Sequence, residues 1–448
     1  MLRRHLSSAL RLKDASGRGE SMSAGPTARQ PNYKSLCKRV RSTRVLVRAW
    51  HAIRRNAETS QQDATKNKAK IFGEDLPKNL RVIQDRLKKG YKFAPAYGAT
   101  PPKGGGKVGK RPIVVAPLED RIVQRAILDV LQDATEVAGV QRVLRTPTSI
   151  GGIKGRGVDH AIAIFDERVK AGDRFVAGSD ISGFFTKIPR ERVLAFFERE
   201  GVEADFLRLI RDGLTVELSN VDKLSDDDLK MFPTGADGVA QGCPLSALAG
   251  NIVLESFDSE MNGRGITCIR YIDDFLVIGK TRASVEAAMR AARGMLNELG
   301  MSIYDPATSP KKAFIGEVDE GHPFLGYELR PGSYPPSLDA RARLHEQIAA
   351  LIASGQKAIT KAVSGRALTS QDRCYAQTLV RLDQTIRGWR RSFKSSKCPA
   401  VFEQLDREID RRLHDFRAFY LDKIRNRTPA QQRMAARVSL VSEQVEAH

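Results

Sequence analysis

The sequence contains no apolar run that approaches the length needed to cross a bilayer, so it predicts no membrane-spanning segment. Cysteine is scarce as well. The five cysteines are odd in number and scattered, without a CxxC pair or a Cys/His cluster: Cys37, Cys243, Cys268, Cys374 and Cys398. This pattern argues against a disulfide framework and against structural zinc, and it is typical of a reducing compartment. We therefore expect a cytoplasmic protein.

Acidic residues are the minority charge in this chain. Its 448 residues include 74 Lys and Arg against 53 Asp and Glu, which gives a net charge of +21. Such an excess favours a polyanionic partner, either nucleic acid or an anionic membrane surface. The lack of a spanning segment weakens the membrane alternative. A chain of this length can hold two or three domains with a substantial core.

The segment from Ile266 to Gly279, ITCIRYIDDFLVIG, places two short apolar runs around the adjacent Asp273 and Asp274. Both runs are β-branched or aromatic at most positions, which favours strands joined by a tight hairpin. Carboxylates between buried strands are costly unless cations neutralise them, and a pair of divalent cations is the obvious candidate. Aspartate is also common in ordinary polar turns, so the segment alone leaves that alternative open.

A third carboxylate has a similar setting. Residues 175–179, FVAGS, read as a strand that ends on Asp180, and the element order around Asp180 and Asp273 is β-α-β-β-α-β. This order resembles a ferredoxin-like sheet, in which the first and third strands are neighbours and their tips converge. Three carboxylates in one cleft would share Mg²⁺, and two ions about 3.5 to 4 Å apart can activate an attacking hydroxyl and neutralise a leaving pyrophosphate. The sequence therefore predicts phosphoryl transfer.

Two glycine-rich basic segments suit phosphate contacts. The first, KGGGKVGKRPIVV, carries Lys103, Lys107, Lys110 and Arg111 at the tip of a hairpin that could fold over a triphosphate. Its spacing does not match a P-loop. The second, SIGGIKGRGVDHAIAI, leads into a helix, and we expect its Lys154 and Arg156 to face backbone phosphates.

Seven blocks, in this order, resemble reverse transcriptases: Lys107 to Val115, Asp120-Arg121, SIGGIKGRG, DISGFF, AQGCPLS, YIDDF and FLGY. Their spelling is similar to that of the bacterial group II intron-like lineage. IRGWRRSF and FEQLDREIDRRL, near residues 386–413, resemble its maturase-type thumb. The resemblance covers about residues 70–420 and implies an α+β fold, a right-hand polymerase with fingers, a ferredoxin-like palm and an all-α basic thumb.

The expected divisions follow from this resemblance and from composition. Residues 1–32 mix Ser, Gly, Arg and Pro and read as a disordered basic leader, although the first twenty residues also resemble a transit peptide. The other parts are N-terminal helices and fingers at 33–170, palm at 171–335, helical thumb at 336–430 and a tail at 431–448.

The resemblance also implies roles for single residues. Asp180, Asp273 and Asp274 correspond to the catalytic metal ligands, with a backbone contact from Ile181. Phe185 is similar to the aromatic gate beneath the sugar 2′ position, whereas Phe184 beside it is expected in the core. The implied dNTP contacts are Lys103, Lys107, Arg111, Phe185, Gln241 and Lys312, with Lys103 and Lys107 as alternatives and Lys311 a close second to Lys312. The implied nucleic-acid contacts are Lys154, Arg156, Phe324, Gly326 and Tyr327 in the primer grip, and Arg387, Trp389 and Arg390 in the thumb.

Departures from relatives refine the expectation. SALAGN stands where many relatives have SPLLAN, which predicts a packing change only, and the NAxxH and VTG strings of retron enzymes are missing. No HNH-like or Cys-pair endonuclease pattern follows the thumb, so we expect a free-standing enzyme that is not retron-like. The expected activity is RNA-directed DNA synthesis from dNTPs with two Mg²⁺ ions, or Mn²⁺, on an RNA template. We expect a dedicated noncoding RNA as that template and a role in antiphage defence.

Two alternatives to this activity stay open. One is an RNA-synthesising or template-independent polymerase, and the other is an RNA-binding maturase or scaffold.

Overall fold

A computed structural model describes residues 35–60, 63–103 and 109–438 of the chain. The predicted leader, most of the predicted tail and Lys107 lie outside these residues. In chain order the helices are α1 Leu36–Val40, α2 Thr43–Glu58, α3 Asp63–Glu74, α4 Leu76–Lys88, α5 Leu118–Asp133, α6 Ala138–Arg145, α7 Val158–Lys170, α8 Phe184–Lys187, α9 Arg190–Arg199, α10 Ala204–Leu214, α11 Asp226–Leu229, α12 Ser246–Val253, α13 Glu255–Asn262, α14 Arg282–Asn297, α15 Leu338–Val363, α16 Tyr375–Ser392, α17 Pro399–Ile424 and α18 Pro429–Ala436. The strands are β1 Tyr97–Ala99, β2 Ile113–Val115, β3 Phe175–Ser182, β4 Thr267–Tyr271, β5 Asp274–Gly279, β6 Ser302–Ile303, β7 Ala313–Glu317, β8 His322–Phe324 and β9 Tyr327–Leu329.

The central sheet is antiparallel throughout and has the order β4-β5-β3-β6, with β7 also paired to β3. Strand β3 therefore lies between β5 and the last strands, which is the ferredoxin-like neighbour relation predicted from the sequence. Helices fill the connections before β4 and between β5 and β6. The α+β fold with a ferredoxin-like palm is confirmed.

The central strands read as continuous apolar runs because both faces of the sheet are covered. On β5, Phe275 and Val277 join the core formed with α12, α13 and α14. Leu276 and Ile278 face the other way, towards α7 and the β8–β9 hairpin. Every residue from Phe275 to Gly279 is buried, so the sheet gives the hairpin that carries the aspartates a rigid base.

Strand β3 is longer than the sequence suggested. We expected it to end on Asp180, but it continues to Ser182, because Ile181 and Ser182 pair with Ile303 and Ser302 of β6. The prediction of a strand end at Asp180 is wrong. The physical reason is that β6 is only two residues long and gives no recognisable strand pattern in the sequence. Asp180 therefore projects from within a paired strand, which fixes its backbone more firmly than a loop would.

The N-terminal part of the fold is helical, as expected for the start of the segment 33–170. It begins with a pair of helices, α1 and α2, and Trp50 on the apolar face of α2 is buried against the rest of the fold. Helix α2 packs along α5, which follows the β1–β2 hairpin. Helix α3 was not predicted, because only Ala69 and Phe72 of its twelve residues are buried and the apolar period is weak.

The C-terminal part consists of α15, α16, α17 and α18, with α15 packed against the other three. The first three of these are long, and this part of the chain is all-α, as expected for the thumb. Phe416 of α17 and Ile359 of α15 are fully buried between the helices. Across the part of the chain that is described, no helix combines the length and the apolar character that a bilayer crossing requires.

Candidate active site

The sheet brings the predicted aspartates together. Asp180 of β3 and Asp274 of β5 are direct partners across the antiparallel pair, and Asp273 lies in the two-residue turn between β4 and β5. The turn is tied back to β3, because the backbone N–H of Ile181 donates to the Asp273 carbonyl at 2.9 Å. Ile272, the first turn residue, has a left-handed φ of 63°, which is uncommon for a β-branched side chain. Local geometry thus presents three carboxylates at one edge of the palm.

Lys312 provides the positive charge nearest to these carboxylates. Its ammonium forms an ion pair with Asp180 Oδ2 and lies 5.0 Å from the centre of the Tyr304 ring. The backbone joins the same residues, since Asp180 N–H donates to the Lys312 carbonyl at 3.3 Å. Of the two candidate lysines, Lys312 therefore lies at the carboxylates, whereas Lys311 is exposed.

Burial and mutual repulsion perturb the titration of the pair in the hairpin. Burial, a hydrogen bond with Asp180 and the charges of Asp180 and Asp273 raise the pKa of Asp274 to about 9. Burial also raises the pKa of Asp273, and the charge of Asp180 adds to this shift. Burial alone would lower the pKa of Lys312, but its hydrogen bond to Asp180 raises it above the ordinary value. The cleft therefore holds more carboxylate than its own cations can neutralise.

The excess of negative charge in this cleft suits the binding of a divalent cation. Within residues 35–60, 63–103 and 109–438 no group of three His, Cys, Asp or Glu side chains is arranged as a preformed metal site. Instead, the Lys312 ammonium forms an ion pair with the Asp180 carboxylate, in the place where a metal cation would bind these oxygens. Carboxylate oxygens are hard ligands of the kind that Mg²⁺ prefers. Asp180, Asp273 and Asp274 are the residues that would hold such ions.

The turn also rests on a glycine that the sequence pattern did not single out for this role. A Cβ atom on Gly151 would lie 2.4 Å from Ile272 Cγ1 and 2.6 Å from the Ile272 backbone nitrogen. Asn251 holds the glycine in place, because its Nδ2 donates to the Gly151 carbonyl at 3.0 Å. The SIGG segment, predicted to contact phosphates, is therefore also the surface on which the aspartate turn packs.

Phe185, the predicted sugar gate, and its neighbour Phe184 differ in burial. Phe184 is buried in the core, which confirms its predicted core role, and its ring lies 5.4 Å from that of the half-buried Phe185. The carbonyl of Phe185 accepts from Val239 N–H at 2.7 Å, two residues before Gln241. The carbonyl of Gln241 in turn accepts from Val114 N–H at 3.0 Å, which links this turn to β2. Backbone hydrogen bonds therefore connect the segments that carry Phe185 and Gln241 to each other and to β2.

The β1–β2 hairpin carries the predicted triphosphate clamp. Arg111 N–H donates to the Pro101 carbonyl at 2.9 Å, and the charge of Arg111 partly offsets the raised pKa of Asp273. Lys103 N–H donates to Gly109 at 2.8 Å, and its side chain is exposed at the tip. Arg111 and Lys103 thus lie on one hairpin, with Arg111 the nearer to the aspartates.

Lys110 makes an unexpected contact with the acidic segment at residues 222–228. Its ammonium lies 2.8 Å from both carboxylate oxygens of Asp228, in α11. The Asp228 side chain is only 15% exposed, whereas Asp226 and Asp227 beside it are exposed. Lys110 and Asp228 lie 118 positions apart, so only the folded chain brings them together. Lys110 is thereby paired with a carboxylate, although half of its side chain remains exposed.

Comparison with known proteins agrees with this geometry. Residues 101–329, more than half of the chain, match the family described as "Reverse transcriptase (RNA-dependent DNA polymerase)". The chain belongs to the reverse transcriptase family. It is an RNA-directed DNA polymerase, and thus a nucleotidyltransferase, as predicted, and enzymes of this family generally use divalent metal ions. The matched segment contains all three aspartates, strand β2 and the FLGY block.

Individual relatives of this reverse transcriptase are distant. It is 27% identical to Protein YkfC of Escherichia coli (strain K12) over 294 residues, which cover 57% of this chain and 72% of YkfC. Among solved structures it is similar to a partial Cas6-RT-Cas1–Cas2 complex, with 19% identity, a TM-score of 0.34 and coverage of 61% of this chain. It spans 45% of that chain, less than half of its length. It is also similar to a telomerase from Candida albicans, with 10% identity, a TM-score of 0.38 and coverage of 80% and 68% of the two chains.

The predicted primer grip of the reverse transcriptase lies in the β8–β9 hairpin. Phe324 and Tyr327 are both buried, and Tyr327 Oη donates to the Ser392 carbonyl of α16 at 2.8 Å. Gly326, with a φ of 85°, accepts from Ser337 N–H at 2.8 Å. Tyr327 therefore joins the palm to the thumb, whereas Leu325 and Gly326 at the tip of the hairpin are only partly buried.

The remaining predicted nucleic-acid contacts separate into exposed and internally bonded residues. Lys154 is exposed, whereas Arg156 Nη1 donates to the carbonyls of Thr146 and Ser149. Arg156 therefore fastens the glycine-rich segment onto the fold. A phosphate contact of Arg156 stays a prediction, and it would use the donors outside these two bonds.

In the thumb the three predicted contacts also differ. Arg387 is exposed and pairs with Asp383 one turn earlier. Trp389 Nε1 donates to the Ala340 carbonyl at 3.3 Å, and Arg390 lies 4.2 Å from the centre of the Phe402 ring. Trp389 and Arg390 thus join α16 to α15 and α17, and both Arg387 and Arg390 are exposed.

Proposed function

We propose that this reverse transcriptase adds dNTPs to a primer 3′ end on an RNA template by two-metal phosphoryl transfer at Asp180, Asp273 and Asp274. The observation that carries the proposal is the pairing of Asp180 with Asp274 across β3 and β5, with Asp273 in the adjoining turn. The raised pKa values of Asp273 and Asp274 indicate an unmet need for positive charge. The net charge of +21 is consistent with a polyanionic substrate.

Each residue has a distinct part in the proposed reaction. When bound, a pair of Mg²⁺ ions would activate the primer hydroxyl and neutralise charge on the leaving pyrophosphate. Asp180, Asp273 and Asp274 hold these ions, and Lys312, once released from Asp180, binds phosphate oxygens of the incoming nucleotide. Arg111 and Lys103 extend from the hairpin towards the triphosphate. Catalysis then depends on positioning and charge, as phosphoryl transfer generally does.

The metal requirement gives a direct test of this proposal. We expect protein treated with excess chelator to extend no primer on an RNA template, and addition of Mg²⁺ to restore extension. Mn²⁺ should also support synthesis, because carboxylate oxygens accept either ion. Primer extension followed on a denaturing gel measures the effect. Extension that continues in excess chelator would contradict the two-metal proposal.

We also propose that Phe185 excludes ribonucleotides. Its half-buried ring lies beside that of Phe184, three residues beyond the end of β3, where a sugar bound near Asp180 would meet it. Removal of the ring should open space for a 2′ hydroxyl, so Phe185→Ala should reduce the ratio of kcat/KM for dNTP to that for rNTP by roughly 10- to 100-fold. Phe185→Tyr keeps the ring and should keep the ratio. An unchanged ratio in Phe185→Ala would remove this residue from sugar selection.

Finer aspects of the proposed role rest on the resemblance to the group II intron-like lineage. We propose that the natural template is a dedicated noncoding RNA and that the enzyme serves antiphage defence. Sequencing of the nucleic acid that copurifies with wild type and with the Asp273→Ala/Asp274→Ala protein tests the first part. We expect one RNA species with both proteins and complementary DNA with wild type only. A random mixture of cellular RNA in both preparations would argue against a dedicated template.

A further inference from the structure

Arg270 is a fully buried cation in strand β4, two residues before the aspartate turn. Its side chain has no solvent exposure, and the Asp258 side chain that faces it is 2% exposed. A buried guanidinium is stable only when acceptors surround it. The sequence offered one signal of this arrangement, a charged residue inside the apolar run ITCIRYI, but not the identity of the partners.

All five N–H groups of the Arg270 guanidinium have acceptors. Nε donates to Asp258 Oδ1 at 2.7 Å, and Nη2 donates to Asp258 Oδ2 at 2.5 Å. Nη2 also donates to Ser149 Oγ at 2.9 Å. Nη1 donates to Asn251 Oδ1 at 2.9 Å and to the backbone carbonyl of Ile272 at 3.0 Å.

The last of these bonds connects the buried cluster to the catalytic turn. Ile272 has a φ of 63°, and the next residue is Asp273. A β-branched residue in this region keeps its conformation only when surrounding contacts enforce it. The Arg270 bond to the Ile272 carbonyl is one such contact. Asn251 supplies a second, since it accepts from Arg270 and donates to Gly151, the glycine packed beneath Ile272.

We propose that Arg270 is a positioning residue that holds the Ile272–Asp273 turn in its metal-binding conformation, with Asp258 as its anchor. The inference rests on the proposed function, because it assigns the turn a role in catalysis. Arg270 does not touch the reacting atoms. It acts through the Ile272 carbonyl, which fixes where the Asp273 carboxylate lies relative to Asp180 and Asp274.

Lysine cannot replace this arginine at the site. Its ammonium has three donors on one nitrogen, whereas Arg270 spreads five donors over a rigid plane that meets Asp258 on one side and Ile272 on the other. Arg270→Lys keeps the charge, so Asp258 retains a cation, but the bond to the Ile272 carbonyl is lost. The substitution thereby separates charge neutralisation from positioning.

The first test compares Arg270→Lys with Arg168→Lys. Arg168 at the end of α7 pairs with the buried Asp173 at 2.8 Å, just before β3, and is the control. We expect Arg270→Lys to lower kcat about 100-fold with little change in the KM for dNTP, because small displacements of catalytic groups cost about that much. We also expect its affinity for Mn²⁺, measured by titration calorimetry, to fall about tenfold. Arg168→Lys should match wild type in both measurements.

A second variant tests whether a loss of activity could come from a folding defect instead of a displaced turn. Arg270→Met/Asp258→Leu removes both charges together, and such replacements of buried ion pairs are often tolerated. We expect it to unfold cooperatively near the wild-type temperature yet to retain the low kcat and weak Mn²⁺ binding. If a folded variant has the kcat and Mn²⁺ affinity of the unsubstituted protein, Arg270 does not position the turn. The proposed function would still stand in that case, because the unsubstituted protein would remain an active polymerase. Failure of both variants to fold would make Arg270 a stability element and would also overturn the proposal. A wild-type protein inactive on RNA templates would instead contradict the proposed function itself.

Discussion

The Asp273→Ala/Asp274→Ala protein should incorporate no dNTP above background, a loss of at least about a thousandfold in primer extension. Without these carboxylates only Asp180 remains to hold the metal ions, and Lys312 already pairs with it. The same substitution should leave the metal-free melting temperature unchanged or higher. The reason is that burial and repulsion raise the pKa of both aspartates, so their charges oppose folding in the absence of a cation.

An adjacent pair of aspartates elsewhere in the chain supplies the control. Asp226 and Asp227 lie next to each other at the start of α11, and both are exposed. Asp226→Ala/Asp227→Ala changes the net charge by the same amount and should keep wild-type extension. DNA synthesis retained by the Asp273→Ala/Asp274→Ala protein would show that the hairpin carboxylates are not the catalytic ligands.

The second large effect is expected at Gly151. An added methyl group at this position would meet Ile272 Cγ1 at 2.4 Å and the Ile272 backbone nitrogen at 2.6 Å, and backbone cannot move aside as a flexible side chain can. Gly151→Ala should therefore displace the turn that carries Asp273. We expect primer extension to fall about 100-fold, which is the cost of a displacement near 1 Å. Thermal unfolding should show a destabilisation of roughly 1 to 3 kcal/mol.

Gly294 provides the comparison for this substitution. It lies inside α14, and a Cβ atom there would meet nothing within 4 Å. Gly294→Ala should keep full activity and stabilise the helix by roughly 0.5 to 1 kcal/mol, because alanine loses less backbone entropy than glycine on folding. Full activity in Gly151→Ala would mean that the turn tolerates movement and that its close packing is not required for catalysis.

The sequence was sufficient to predict the palm because its signals are local. Two apolar, strand-like runs on either side of Asp273 and Asp274 predicted a hairpin. The order of helices and strands predicted which strands are neighbours in the sheet. The predicted convergence of Asp180 and Asp274 is confirmed as a direct cross-strand pair. The end of β3 was misplaced because its last two residues depend on pairing with β6, a partner more than a hundred positions away.

Long-range side-chain contacts were beyond the sequence for a related reason. The three side-chain partners of Arg270 come from separate places in the chain, and the Lys110–Asp228 pair joins a hairpin to a distant acidic segment. Residue type and spacing do not encode such pairings. Phe324 and Tyr327 illustrate the same limit, since the FLGY pattern predicted a primer contact but not that both rings would be buried between palm and thumb.

Primer extension on one defined RNA template is the most direct measurement of the central claim. Purified protein would receive a DNA primer annealed to that RNA, Mg²⁺ and either dNTPs or rNTPs, and the products would be sequenced. We predict full-length DNA complementary to the RNA with dNTPs, little product with rNTPs, and none from the Asp273→Ala/Asp274→Ala protein. Products that do not match the template, that form equally well from rNTPs, or that persist in the doubly substituted protein would contradict RNA-directed DNA synthesis at these three aspartates.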